Sequence, residues 1–126
     1  MGKSVLLEGP AGAGQHTKMA NQIQIAGTMV GMCEALAYSK AAGLDLEKMV
    51  ATIAKGAAGC HSLDNLAPRV IRGDYEPGFI VEHFIKDMKI ALEESRRMGL
   101  ELKGLGLVES MYEELRDKGY GKAGTQ

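Results

Sequence analysis

The sequence predicts an all-α domain preceded by one unpaired strand. Three observations lead there: apolar residues recur at three- and four-residue steps in successive segments, glycine or proline punctuates the gaps, and no second strand pattern follows the first. From Gln15 to about Ala42 there is no proline, and Met19, Ile23, Ala26, Val30, Cys33 and Ala37 mark one face of a long helix that Gly43 stops. "LDLEKMVATIAKG" predicts a second helix with Asp45 as N-cap and Gly56 at its end. A third runs from Ser62 or Leu63 into Val70 and Ile71, with Pro68 bending it or ending its first part. "RGDYEPGF" is a loop by its turn chemistry. Val81 to about Met98 places Phe84, Met88, Ala91, Leu92 and Ser95 on one face of an amphipathic helix that Gly99 closes. A last helix, from about Leu105 to Lys118, turns Val108, Met111, Tyr112 and Leu115 inward and stops at Gly119.

The exception is "KSVLLEG" at the front, where Val5 and Leu6 favour an extended strand. A lone strand is not independently stable. Two readings stand side by side: residues 1–10 are the end of a sheet whose partners belong to a larger protein, or they are a loosely packed tail.

Length and composition narrow the function classes. At 126 residues the chain makes one domain, small for an enzyme that must also hold a large cofactor. Aromatics make up 5% and Trp is absent, so methionine and small residues must fill the core. Fifteen basic against sixteen acidic residues give a net charge of −1 with no basic stripe, which argues against nucleic acid as a partner. Cys33 and Cys60 are too few to staple such a domain, and a reducing cytosol is the simplest home. The front end has too short an apolar run for a signal peptide, and Gln24 and Glu34 interrupt the longest apolar-rich segment, so no membrane span is expected.

The candidate chemistry lies in "GPAGAGQHTKMANQ". A Walker loop needs Lys and then Ser or Thr directly after its last glycine, but Gly14 is followed by Gln15, His16 and Thr17. A dinucleotide fingerprint needs a third glycine where Thr17 stands, together with a returning strand. Neither phosphate loop is present. Lys18, near the start of the long helix, sits toward the positive end of the helix dipole, where a cation is mildly disfavoured; that is the direction a proton-accepting lysine needs. Asn21 and Gln22, three and four residues on, share its face and could hold a substrate oxygen. On residues alone, the alternative is a solvated lysine among polar neighbours. His16, His61 and His83 show no metal-ligand spacing with each other or with the cysteines, so no metal is expected. Glu34 could be a buried anchor or a surface carboxylate, and Lys86 and Asp87 by spacing alone form a charged helix face.

Taken together, "GPAGAGQHTKMANQ", "EALAYSKAAGLD", "PGFIVEHFIKDMKIALEESRRMG" and "YEELRDKGYGKAGTQ" resemble, in order and over nearly the whole chain, the C-terminal helical domain of the β-hydroxyacid dehydrogenases. That family includes 3-hydroxyisobutyrate dehydrogenase and tartronate semialdehyde reductase (2-hydroxy-3-oxopropionate reductase). The resemblance implies an all-α domain of the 6-phosphogluconate dehydrogenase type over residues 11–126, serving substrate binding and oligomerisation. It makes residues 1–10 the end of a missing N-terminal Rossmann sheet, which would bind most of the NAD or NADP. It assigns Lys18 as the catalytic lysine, Asn21 and Gln22 to the substrate, and Phe79, Lys86 and Asp87 to the cofactor. Gln22 stands where 3-hydroxyisobutyrate dehydrogenases usually carry asparagine, so "KMANQ" looks more like the tartronate semialdehyde reductase version. The resemblance further implies a small hydroxy-acid substrate, a homo-oligomer, and an isolated domain that is inert. The other class of function is a stand-alone helical module that dimerises or binds another chain through Ala20, Gly27, Gly31 and Ala35, small residues that let a second helix approach closely.

Overall fold

The computed structural model describes residues 6–126. The strand expected at "KSVLLEG" lies partly outside them; within them, Leu6 and Leu7 have no regular structure and are exposed. Five helices follow: α1 (Ala13–Ala41), α2 (Leu46–Ile53), α3 (Ala67–Ile71), α4 (Val81–Arg97) and α5 (Lys103–Leu115). A wide π turn, Ser62–Leu66, leads into α3, and another, Arg116–Tyr120, follows α5. The β structure among the described residues is a single antiparallel bridge between Ile80 and Gly124.

The helix ends obey local chemistry. Asp45 accepts a hydrogen bond from the Lys48 amide at 3.0 Å and so caps α2. Gly43 (φ 74°) and Gly99 (φ 75°) take the left-handed conformation that stops α1 and α4. Pro68 ends nothing. It occupies the first turn of α3, where its missing N–H is no loss, and the π turn before it widens the backbone to make room for the ring. Replacing Asp45 with alanine should lower stability by about 1 kcal/mol, read as a shift in the urea midpoint at unchanged slope.

The core sits where α1, α4 and α5 pack on one another. Met29 and Met32 come from α1, Phe84 and Met88 from α4, and Val108 and Tyr112 from α5, so methionine does fill the space that aromatics leave. The whole predicted face of α4 is buried. On α1 the buried line is Met19, Gln22, Ala26, Met29, Met32, Leu36 and Ser39, rotated from the expected one, which leaves Val30 and Cys33 half-buried and Ala37 exposed. Apolar and small residues surround this helix almost completely, so its own periodicity cannot choose a side; α4 and α5 choose it. Met111 and Leu115, expected inward on α5, remain exposed, and Leu105 is buried in addition to Val108 and Tyr112. Glu34 is exposed.

The last residues return across the bundle and tie down the start of α4, which has no side-chain cap. The Val81 amide donates to the Ala123 carbonyl at 3.1 Å and the Glu82 amide to Gly121 at 3.0 Å, so tail carbonyls satisfy two of the helix's orphan donors. The Thr125 amide donates to Phe79 at 3.1 Å, and the buried Tyr112 hydroxyl donates to the Thr125 carbonyl at 2.6 Å. Burial pushes the Tyr112 phenol well above its ordinary value, with the nearby Cys33 adding to the shift. The folded state therefore binds the phenolic proton more tightly than the unfolded chain, and the stability it contributes is fully present below pH ~10 and lost as pH rises above it. Tyr112→Phe should cost about 1–2 kcal/mol at neutral pH, by orphaning the Thr125 carbonyl, and should flatten the alkaline decline in stability followed by circular dichroism.

Candidate active site

The first turn of α1 is built by glycine, but not to hold phosphate. Gly12 adopts φ 94°, and the amides of Ala13, Gln15 and His16 are already donated to the carbonyls of Pro10 and Gly12. Three of the N–H groups that a phosphate cradle would offer are thus used within the turn. Its effect is to launch α1 so that Lys18 lies in the second turn of the helix.

From there, residues of α1 at helical spacing form one wall of a cleft of about 660 Å³. Lys18, Asn21 and Gln22 stand at its mouth, Ile25 and Met29 continue the wall, and Phe84 and Leu66 add apolar surface. Across from Lys18 stands Asp87 of α4, whose side chain is 6% exposed. Its Oδ2 lies 3.6 Å from Lys18 Nζ and accepts a hydrogen bond from Gln22 Nε2 at 2.8 Å. Asn21 Nδ2 in turn donates to Gln22 Oε1 at 3.2 Å. A buried carboxylate requires a counter-charge and donors, and here it has both. Gln22 fixes the carboxylate, and the carboxylate holds the ammonium of Lys18, whose side chain stays 58% exposed toward the cleft.

The structure thus joins Lys18, Asn21, Gln22 and Asp87 in one connected group. Phe79 lies at the cleft rim, 38% exposed, its ring 6.0 Å from that of Phe84. Lys86, about 100° around α4 from Asp87, is exposed and outside the cleft lining. Sequence reasoning gave no cleft role to Thr28, His61 and Ser62, which also line it, or to Thr125 and Gln126 of the tail. For Thr28 a signal existed, since Lys18, Gln22, Ile25 and Thr28 follow one another at steps of four and three. For Ser62 and the tail there was none, because only the folded chain brings them to α1.

His16, His61 and His83 are all exposed, and no group of three metal-ligating side chains occurs among the described residues. The donor set does fit one end of a dinucleotide: a half-open cleft with an aromatic face at the rim and amides beside a lysine suits a flat nicotinamide ring. No helix among the described residues is long and apolar enough to cross a membrane.

Comparison with known proteins places this geometry. Residues 12–126 match the family model described as NAD-binding of NADP-dependent 3-hydroxyisobutyrate dehydrogenase. The chain is 54% identical, over its full length, to the uncharacterized oxidoreductase YkwC of Bacillus subtilis, covering 44% of that protein. It is 30% identical over 89% of its length to 2-hydroxy-3-oxopropionate reductase of Escherichia coli, covering 38% of it. Among solved structures, 3-hydroxyisobutyrate dehydrogenase from Salmonella typhimurium superposes with a TM-score of 0.85 at 25% identity, over 90% of this chain and 40% of that one. The chain therefore spans about two fifths of the length of these relatives.

Proposed function

Because the chain belongs to the NAD(P)-dependent 3-hydroxyisobutyrate dehydrogenase family, we propose that it supplies the proton-transferring half of an active site that interconverts a small 3-hydroxy acid and its semialdehyde. The observation that carries this reading is the Lys18–Asp87–Gln22 group, in which a buried carboxylate, itself pinned, holds a cleft-facing lysine.

In the oxidative direction Lys18 Nζ takes the proton of the substrate hydroxyl, and in the reductive direction it returns it. Asp87 keeps the lysine in place and balances its charge as it alternates between states. Asn21 and Gln22 hold the substrate oxygen beside Nζ; Asn21 is exposed at the cleft mouth, and Gln22 is oriented by its bonds to Asn21 and Asp87. Ile25, Met29 and Phe84 exclude water from the inner wall. Phe79 at the rim and the exposed Lys86, one residue from Asp87, would hold the cofactor. Bound NAD or NADP supplies the hydride acceptor. A Rossmann domain would hold the rest of the dinucleotide, with residues 11–126 as the substrate and oligomerisation domain. The free thiols Cys33 and Cys60 support a reducing cytosol as its setting, and the exposed Ala20, Gly27 and Gly31 on α1 support pairing with a second copy.

A fluorescence titration of NADH and NADPH against residues 1–126 tests the division of roles. No binding up to about millimolar cofactor is expected, along with no turnover, because nothing then holds the hydride acceptor against the substrate carbon. Micromolar binding by this chain alone would defeat the proposed division.

A further inference from the structure

The segment between α3 and α4, residues 72–80, carries Phe79 to the cleft rim, and it is held from two sides. Arg69 of α3 holds one side. Its Nε donates to Asp74 Oδ2 at 2.8 Å and its Nη2 to Asp74 Oδ1 at 3.0 Å, the paired geometry that a guanidinium fork makes with a carboxylate. The same Nη2 donates to the Glu76 carbonyl at 2.6 Å, and the Glu76 amide donates to Asp74 Oδ1 at 3.1 Å. These bonds, that from Arg69 first, draw the Asp74 carboxyl down to about 2, so the fork stays ionised through the neutral range. The tail holds the other side. Gln126 Nε2 donates to the Glu76 carbonyl at 3.1 Å, and the Gly124 amide to the Tyr75 carbonyl at 3.0 Å.

The two holds meet at the Glu76 carbonyl, and only Pro77 and Gly78 separate Glu76 from Phe79. Pro77 locks its own φ at about −65° and confines Glu76 to extended backbone, which takes most of the slack out of that short link. At its far end the Phe79 carbonyl is fixed by the Thr125 amide at 3.1 Å. The Phe79 ring is thus carried on backbone tied at both ends, with the rings of His83 and Phe84 each 6.0 Å away and a face open at the rim. An aromatic group ordered in advance loses less freedom when a flat ligand stacks on it, and the difference appears as affinity. Among the described residues, the side-chain hydrogen bonds of Arg69 all go to this segment, and neither Arg69 nor Asp74 lines the cleft. Both lie partly in solvent, where an ion pair adds little to folding on its own.

We propose that Arg69, acting through Asp74 and the Glu76 carbonyl, is a positioning residue for Phe79 that presets its ring to receive the nicotinamide end of the cofactor. The proposal rests on the reading of Phe79 given above.

The test uses the full-length enzyme and measures dissociation constants for NADH and NADPH by fluorescence, together with KM for a small 3-hydroxy acid. Arg69→Ala should weaken the better-bound cofactor by about 3- to 10-fold, with little change in the KM of the hydroxy acid. Arg69→Lys keeps the charge but not the fork; it should weaken binding similarly and takes the place of the alanine variant if that one fails to fold. The deciding comparison is made in Phe79→Ala, where the same substitution of Arg69 should have no further effect because the ring it positions is gone. A merely structural role predicts the same loss in both backgrounds. That result, or wild-type affinity in a folded Arg69→Ala or Arg69→Lys enzyme, would overturn the proposal and leave the reading of Phe79 standing, provided that Phe79→Ala alone weakens binding. Cofactor affinity unchanged by Phe79→Ala would overturn both.

Discussion

Lys18→Ala in the full-length enzyme should leave a folded protein with kcat reduced by about 10²- to 10⁴-fold, the range that a positioned proton acceptor supplies. The fold should survive because Lys18 contributes little to it: the side chain is more than half exposed and makes one ion pair, at 3.6 Å, beyond hydrogen-bonding distance. The loss should appear in kcat and in kcat/KM alike, since the interaction removed is one made as the proton moves. The variant also leaves Asp87 buried with Gln22 as its remaining partner. A small decrease in thermal stability is therefore expected beside the kinetic loss, and Lys18→Ala combined with Asp87→Asn should recover part of it. Near-wild-type turnover by Lys18→Ala would remove the assignment, whatever the stability measurement gave.

Phe84→Ala carries the largest expected effect on stability. The ring is 1% exposed, meets Tyr112 edge-on with centroids 5.1 Å apart and Phe79 at 6.0 Å, and lines the cleft on its other side. Truncation removes the Phe84–Tyr112 contact between α4 and α5 and leaves a void that opens into the cleft. A loss of about 3–5 kcal/mol follows for a buried phenylalanine, against a total of about 5–15 kcal/mol for a domain. Chemical denaturation should show a large fall in midpoint, and much of the protein should be unfolded at growth temperature. Phe84→Leu, which conserves most of the volume, should cost far less. If Phe84→Ala loses under 1 kcal/mol, the core as described is wrong.

How much could be seen in the sequence depended on the range of the interaction concerned. Asp45, Gly43 and Gly99 act on backbone within a few residues, so the bounds they set for α1, α2 and α4 are legible from neighbouring residues alone. The face of α4 was legible because charge and apolar character separate cleanly around it. The face of α1 was not, because Gln22 and Ser39 are buried while Ala37 is exposed, and only contact with α4 and α5 decides which side turns in. Resemblance led to Lys18 and named Asp87, yet their pairing spans the chain from α1 to α4 and has no local mark. Ser62 was invisible for the same reason, and Thr28 showed only its helical step from Lys18. Their hydroxyl oxygens meet, at 3.3 Å, only in the folded chain.

The tail that caps α4 has a bearing on how the protein is made. Synthesis runs from the Lys18 end, so α1 leaves the ribosome long before Gly121, Ala123 and Thr125 are joined to the chain. Until they arrive, the first amides of α4 and the segment around Phe79 lack the partners that fix them. A nascent chain can build the bundle early and still have no finished cleft. Completion of the pocket thereby waits on residues 121–126, which are made about a hundred residues after Lys18.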